Sequence, residues 1–434
     1  MKSVVGLVLL LQLVLAAPVG EHTGQKGLEF NQRIAAGGPD DFMLVKHLVL
    51  RGSNFAIGRK LAEIARDEHG VALSPGGGDR LKLRVLKQYH SRNFPIHHER
   101  MEGVAAFYGA RSADDPIDYS GLFYNLGNPG DPSDGGCSVV FYPPQSTAMG
   151  TGVLSRNYDF STGTLDGRSP PPGQPAATSR PYVMELYPDQ GYASLAICAY
   201  DLVGGAIDGI NSAGLCVALL ADDESAATQP IEPAGGTEVG LYELNIPRFL
   251  LDTCASCEEA REMLLTAKHY YAFLPLHYII ADRHGNSLVW EYSYSSNKEY
   301  IVDGGGVPQV VTNHPLYKRK GSAGSADVPA IDEARIDSYE RYRILAQKIE
   351  STPGKCSLGF IKETNAAVAA DEAGTPASGW ARHRTLWHAL YYPEERRAEV
   401  DFYLGDKPDP GSPERTGIAR SGYLEFQLDQ ASWP

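Results

Sequence analysis

The chain has 434 residues, of which 43% are hydrophobic, and its 39 basic and 53 acidic residues give a formal net charge of −14. This composition excludes a disordered chain, a collagen-like repeat and a multi-span membrane protein. The acidic surplus disfavours nucleic acid and anionic membranes as partners, because both are negatively charged.

The N-terminus has the features of an export signal. Lys2 precedes an apolar run from Val4 to Ala17, which is too short to cross a bilayer that requires about 20 apolar residues. Val14-Leu15-Ala16 fits the small-residue rule of signal peptidase and predicts a signal peptide over residues 1–16. The alternative is a buried N-terminal helix. Since no later segment reaches spanning length, we expect a soluble, exported protein in an extracellular, periplasmic or lysosome-like space.

The next part of the chain is predicted to be mainly helical. Residues 40–110 contain three segments with apolar residues at helical spacing, which include Ile57, Leu81 and Gly103. The stretch from Asp114 to Gly136 is rich in Asp, Gly, Pro and Asn, and is predicted to be a loop.

From Cys137 onward the pattern changes to short strands. Val139 to Phe141 and Val153 to Tyr158 predict two strands joined by a long turn, and Thr385 to Tyr391 with Ala398 to Tyr403 predict a hairpin. Further strands are predicted at 192–200, 214–220, 276–282, 287–292 and 308–312, and helices at 243–267 and about 332–350. Helices, antiparallel strands, more helices and final strands together indicate a layered α+β fold.

Two cysteines, Cys254 and Cys257, form a Cys-x-x-Cys motif. Ser256 and Glu259 make a capping box at the same place, which predicts the start of a helix. A local disulfide or two unpaired thiols is favoured over redox catalysis, and export would permit the disulfide.

Several common catalytic signatures are missing from the sequence. There is no Gly-x-Ser-x-Gly elbow of the α/β-hydrolases and no phosphate-binding loop. His98-Glu99 begins like a zinc-protease helix, but Glu102 stands where the second histidine would be, so an exposed polar helix is the simpler interpretation.

Cys137 is the strongest candidate for a catalytic residue. It follows Gly135-Gly136 and opens a predicted strand, and the cluster Arg156-Asn157-Tyr158-Asp159 lies on the returning strand. Charged residues there are costly to bury unless they are paired or functional. The alternative is a buried cysteine beside a structural Arg156–Asp159 pair.

Four motifs in order carry a family resemblance. Gly-Cys-Ser at Cys137, Ser-Arg-Asn-Tyr-Asp, Asp-Gly-Ile-Asn-x-x-Gly-Leu from Asp208 and Thr-Asn-x-Pro at Asn313 resemble the N-terminal-nucleophile hydrolases of the choloylglycine hydrolase type. Asp-Gly-Ile-Asn alone could also be a plain turn. The chain most resembles the branch of the isopenicillin N acyltransferases, the C45 autoproteolytic family, over roughly residues 45–404.

The resemblance implies a fold and a division of the chain. The fold is a four-layer αββα sandwich with a helical N-terminal pro-segment. Residues 17–136 would be the pro-segment or α chain, and residues 137–434 the catalytic β chain, a single domain completed by the α chain. The two chains are expected to stay associated, and a homo-oligomer is possible.

The resemblance also implies site residues. Cys137 matches the nucleophile, and Arg156 and Asp159 match the pair that flanks its thiol and amine. Asn313 matches an oxyanion donor, and Arg341 is similar to a later active-site arginine.

One position departs from the family pattern. Bile-salt-type members often have Asn or Tyr where this chain has Ala221, so the resemblance leaves one oxyanion donor without a residue. Asp222 follows, and an ionised carboxylate cannot donate a hydrogen bond.

The implied chemistry is self-cleavage between Gly136 and Cys137, followed by amide hydrolysis. Cleavage would free the α-amine of Cys137, whose reference pKa of about 7.7–8.0 suits a general base near neutral pH. No metal, organic cofactor or catalytic histidine is required. We expect hydrolysis of a linear, non-peptide amide of a small N-acyl substrate; the alternatives are acyl transfer to an amine and a non-catalytic exported binding protein.

Overall fold

The computed structural model describes most of the chain. The described residues are 27–73, 79–110, 116–126, 136–228, 238–293, 298–318, 336–370, 378–409 and 412–432. The predicted signal peptide, residues 1–16, lies outside the described residues, as does Gly135.

The secondary structure alternates between strands and short groups of helices. The strands are β1 (Glu29–Ala36), β2 (Val45–Gly52), β3 (Gly136–Tyr142), β4 (Val153–Ser161), β5 (Tyr182–Pro188), β6 (Ser194–Cys198), β7 (Asp208–Asn211), β8 (Cys216–Ala221), β9 (Leu241–Tyr242), β10 (His269–Tyr270), β11 (Leu276–Ala281), β12 (Ser287–Ser293), β13 (Lys298–Asp303), β14 (Gln309–Val311), β15 (His383–Tyr392), β16 (Arg397–Asp409) and β17 (Ser412–Gln427). The helices are α1 (Asn54–His69), α2 (Arg80–Asn93), α3 (Pro95–Phe107), α4 (Asp223–Thr228), α5 (Asn245–Thr253), α6 (Cys257–Thr266), α7 (Ile336–Glu350) and α8 (Leu358–Ala366).

Within the described residues the strands form two large sheets. The larger has nine strands in the order β1-β2-β5-β6-β7-β8-β11-β12-β13, and the smaller has six in the order β14-β3-β4-β15-β16-β17. Neighbouring strands are antiparallel except β2 and β5, which run parallel. Strands β9 and β10 form a separate parallel ladder.

The two sheets pack face to face, and helices cover their outer faces. In β3, Val139 and Phe141 belong to the core between the sheets, whereas Val140 and Tyr142 belong to a second core beneath α7 and α8. Alternate residues of a strand point to opposite faces, so β3 is buried on both sides. Helix α5 lies on β7 and β8, and α6 lies on β11. The order helix, sheet, sheet, helix confirms the predicted α+β fold, an αββα sandwich.

Most predicted elements are confirmed. The predicted strands at 192–200, 214–220, 276–282, 287–292 and 308–312 correspond to β6, β8, β11, β12 and β14. The single helix predicted at 243–267 is wrong: it is two helices, because Cys254 is extended and Ser256 caps a new one. Ser256 accepts the N–H of Glu259, which confirms this half of the predicted capping box; the Glu259 carboxylate accepts the N–H of Ala255, one residue before the N-cap.

The helix predicted from residue 40 is wrong as far as residue 52. Val45–Gly52 is a strand that pairs with β1 on one side and β5 on the other. This pairing depends on residues far along the chain, and sheet context outweighs local helical spacing. The helical prediction holds from Asn54, where α1 begins with Ser53 as its N-cap.

A buried ionic cluster also joins the N-terminal helices to the rest of the fold. Arg100 of α3 donates hydrogen bonds of 2.6 and 3.1 Å to Asp252 of α5, and one of 2.9 Å to Asn54. Arg248 lies 3.8 Å from the same carboxylate. The side chains of Arg100 and Asp252 are fully buried, so these charges compensate one another away from water.

Asp252→Asn should lower the free energy of unfolding by about 3–5 kcal/mol, because Arg100 and Arg248 would remain buried without their carboxylate. Urea denaturation measures the change. Asp41→Asn is the control, since it removes an ion pair with the exposed Lys407 and should have a much smaller effect. Equal losses in the two variants would contradict this account of the cluster.

Candidate active site

The candidate nucleophile lies in the hairpin of β3 and β4. The register places Cys137 opposite Tyr158, Val139 opposite Arg156 and Gly136 opposite Asp159. Partners across an antiparallel pair share a face, and the face alternates along each strand. Cys137 and Arg156 therefore face the larger sheet together, whereas Asp159 lies on the other face of β4.

Arg156 extends from the smaller sheet into the larger one. Its Nη2 lies 3.9 Å from the Sγ of Cys137 and donates to the carbonyl of Leu219 at 2.7 Å, while its Nε lies 2.7 Å from Oδ2 of Asp208. The side chains of both ion-pair partners are completely buried. The alternative Arg156–Asp159 pair is therefore wrong: the counter-ion is Asp208.

Asp208 is a site residue that sequence reasoning missed. It opens β7, so the Asp-Gly-Ile-Asn segment is a strand and not a plain turn. Besides Arg156, its carboxylate binds the indole N–H of Trp387 at 3.0 Å and the hydroxyl of Tyr391. The sequence did contain a signal for this role. A buried arginine requires a carboxylate, and Asp208 is the only aspartate of the four motifs that lies on a different strand from Arg156.

The charges around the Cys137 thiol oppose one another. Burial raises the pKa of the thiol, Arg156 and Arg341 lower it, and Asp159 and Asp223 raise it. The two arginines reduce the free energy needed to form the thiolate, which is the nucleophilic species.

Asn313 and Arg341 hold the backbone on both sides of the nucleophile. Asn313 Oδ1 accepts the N–H of Cys137 at 2.7 Å and Nη2 of Arg341 at 2.8 Å, while its Nδ2 donates to the carbonyl of Ala221 at 2.9 Å. A flipped amide would face two donors, so the network determines this orientation. Arg341 also donates from Nη1 to the carbonyl of Cys137 at 2.5 Å and to Oγ of Ser138 at 2.9 Å.

These contacts bring four of the predicted residues together, but not all in the predicted roles. Cys137, Arg156, Asn313 and Arg341 form one buried group. The amide nitrogen of Asn313 is engaged by Ala221, so its role as oxyanion donor stays a prediction.

The fifth predicted residue, Asp159, lies beside the proposed cleavage position. A Cβ added to Gly136 would lie 2.9 Å from Cβ of Asp159 and 3.3 Å from its Oδ2, so glycine permits this close approach. Oδ1 of Asp159 accepts the hydroxyl of Thr385 at 2.6 Å. The carboxylate thus flanks the residue before Cys137, on the main-chain side of the site.

The other five cysteines lie outside this group of residues, and among them Cys198 also contacts an arginine, Arg248, at 3.5 Å. All six carry free, buried thiols, so Cys254 and Cys257 are two thiols and not a disulfide. Burial raises the pKa of Cys254 to about 12 and also raises that of Cys257, which does not favour redox chemistry. In the described part of the chain no group of three or more His, Cys, Asp and Glu side chains is placed to hold a metal ion.

Arg156→Gln should make alkylation of Cys137 by iodoacetamide require a higher pH. Removing the positive charge beside the sulfur raises the thiol pKa, so less thiolate is present at any given pH. Peptide mass spectrometry of Cys137 across a pH series gives the midpoint. The control is Arg420→Gln, which removes an arginine of β17 that binds Asp401; an equal shift in both variants would contradict the assignment.

A family model described as acyl-coenzyme A:6-aminopenicillanic acid acyl-transferase matches residues 147–407, which include Arg156, Asp159, Asn313 and Arg341 but begin after Cys137. No curated protein matches the sequence.

Among solved structures, the chain is similar to two variants of the conjugated bile acid hydrolase from Clostridium perfringens. These have 15% and 16% identity and TM-scores of 0.41 and 0.42, and the alignments cover 68% of this chain and 97% and 98% of theirs. A penicillin V acylase from Agrobacterium tumefaciens has 17% identity and a TM-score of 0.39, with 65% of this chain and 90% of that chain covered.

The family match confirms the predicted resemblance and, with it, an enzyme class that acts on acyl–nitrogen bonds. The use of cysteine, the self-cleavage and the substrate stay predictions. Because the matched residues make up more than half of the sequence, the chain belongs to the acyl-coenzyme A:6-aminopenicillanic acid acyl-transferase family, a branch of the N-terminal-nucleophile enzymes.

Proposed function

We propose that this protein is a self-processing amidase. It cleaves its own chain between Gly136 and Cys137, and then hydrolyses a linear, non-peptide amide of a small N-acyl substrate. The observation that carries the proposal is the convergence of Arg156, Asn313 and Arg341 on one buried cysteine at the start of a strand. Family membership supports the reaction class.

Self-cleavage begins when the Cys137 thiol attacks the carbonyl carbon of Gly136. The carbon–nitrogen bond breaks, a thioester forms and the nitrogen of Cys137 takes up a proton to become an amine. Water then hydrolyses the thioester, which leaves a carboxylate on Gly136 and restores the thiol. Asn313 and Arg341 bind the N–H and carbonyl of Cys137, so they hold the new N-terminus in place during this exchange.

Amide hydrolysis uses the same sulfur and the freed amine. The amine accepts the thiol proton while the sulfur attacks the substrate carbonyl, and then gives that proton to the departing amine. The resulting acyl-thioester is hydrolysed by water, which releases the acid. Arg156 stabilises the sulfur as it becomes negative, and the charge of Arg156 is itself balanced by Asp208.

Acyl transfer is a second candidate, because the matching family is described by an acyl-transferase. The acyl-thioester of Cys137 would then be attacked by an amine in place of water. Product analysis with and without an added amine acceptor separates the two reactions. Fatty-acyl amides, penicillins and short N-acyl peptides are suitable first substrates for the processed protein.

We further propose that the protein is exported and that residues 1–16 are removed as a signal peptide. The apolar run of the N-terminus and the small residues before Ala17 support this. No helix in the described ranges is long and apolar enough to span a bilayer. Mass measurement of the secreted protein checks the proposal, and a retained Met1 would contradict it.

A denaturing gel combined with intact mass should show two chains divided between Gly136 and Cys137. Cys137→Ala should give one uncut chain, because the attacking sulfur is absent. Cys198→Ala is the matched control, since Cys198 is also buried and contacts an arginine, Arg248, yet should leave cleavage unchanged. A wild-type protein that hydrolyses amides while uncut would overturn the self-cleavage.

The two cut chains should elute together from a sizing column in native buffer. β2 pairs with β5 along its length, and Arg100 binds Asp252 across the division, so both contacts survive the cut. Gel analysis of the single peak should show both pieces. Separate elution of the N-terminal piece would mean that it is a removable pro-segment.

A further inference from the structure

The segment that carries Asn313 is held by two side chains outside the site described so far. His277 of β11 contacts the carbonyl of Thr312 through Nε2 at 2.7 Å and Oε1 of Glu291 through Nδ1 at 3.1 Å. Glu291 of β12 in turn accepts the N–H of Leu316 at 2.7 Å and that of Tyr317 at 2.8 Å. The pair therefore binds the main chain on both sides of Asn313.

With Glu291 ionised, the geometry favours a second proton on His277. Both of its ring nitrogens face acceptors, a carbonyl and a carboxylate, and a neutral imidazole has only one N–H to donate. Both side chains are buried, at 0% and 1% exposed, so water does not replace a missing bond. The charged form thus satisfies both contacts, and the neutral form leaves one of them unmade.

The charges that face His277 favour the same state. Burial alone would lower the pKa of His277, but Glu291, the Asp222 carboxyl at the end of β8 and the Thr312 carbonyl raise it above its ordinary value. A group with a raised pKa contributes its stabilisation at lower pH and loses it as the pH rises through the folded value. The weakening is therefore expected on the alkaline side.

We propose that His277 and Glu291 are positioning residues, a buried ion pair that holds Asn313 in contact with the backbone of Cys137. Neither touches the reacting atoms. The consequence for reaction rate rests on the function proposed above, whereas the consequence for the segment from Thr312 to Tyr317 does not.

The experiment uses the double variant His277→Gln with Glu291→Gln, which removes both charges of the pair together. A side-chain amide has one acceptor oxygen where the Glu291 carboxylate has two, so one of the N–H groups of Leu316 and Tyr317 loses its partner. The matched control is His47→Gln with Glu185→Gln, which removes another buried pair, joined at 2.7 Å between β2 and β5.

The first measurement is hydrogen exchange at one pH, with every variant in the Cys137→Ala background so that no chemistry occurs. The double variant should exchange faster in a peptide spanning residues 311–318, and the control should not. Unchanged exchange in that peptide overturns the proposal, whether or not the protein is an amidase. Faster exchange combined with an inactive wild-type enzyme would uphold the positioning and refute the proposed function.

The second measurement is the pH profile of kcat in the processed enzyme. Displacement of a site by about 1 Å costs about 10²-fold in rate, so the double variant should lose kcat on that scale, with a smaller change in KM. In the wild-type enzyme kcat should fall at alkaline pH as His277 loses its proton, and the double variant should not show this alkaline fall. A double variant that keeps both the wild-type kcat and the wild-type alkaline fall overturns the proposal; the control pair should retain both.

Discussion

The charge of Arg156 joins the two sheets. Its guanidinium belongs to β4 of the smaller sheet, but its carboxylate partner is on β7 and its carbonyl partner on β8 of the larger one. The ring of Tyr158 lies 4.7 Å from the guanidinium carbon, on the same strand. An unpaired buried charge is strongly unfavourable, so the meeting of Asp208 and Arg156 favours this packing of the two sheets. Since Cys137 lies on the same face of the hairpin as Arg156, this constraint also positions the sulfur.

The side chain and main chain of Cys137 are held by different layers. Arg156 approaches the sulfur from between the sheets, whereas Arg341 comes from α7 on the outer face of the smaller sheet. Asn313 lies beyond the end of β14, beside β3, and binds the nitrogen of Cys137. The sulfur and the main chain of Cys137 therefore have separate supports, which suits the proposed rearrangement of the peptide bond before it.

The sequence was sufficient for the parts of the fold that depend on local pattern. Alternating apolar residues and a turn rich in proline and glycine predicted the hairpin of β3 and β4, and motif order predicted the residues around Cys137. Strand β2 was mistaken for helix because its identity depends on pairing with β5. The role of Asp208 depended on knowing which buried cation it meets, and a sequence does not contain that information. His277 and Glu291 are similar cases, since each lies inside a strand whose apolar neighbours account for the pattern.

The parallel pairing of β2 with β5 has a consequence for the lifetime of the proposed mature form. His47 and Glu185, which meet across these strands, are 138 positions apart, and the proposed cut lies between them. Before the cut, one chain closes this contact on itself; afterwards the same contact requires two molecules to meet. In the proposed mechanism, folding therefore precedes processing. Once the proposed mature form has unfolded, it would refold at a rate that falls with dilution. Its lifetime would therefore be set by kinetic stability, that is, by the rate at which it unfolds.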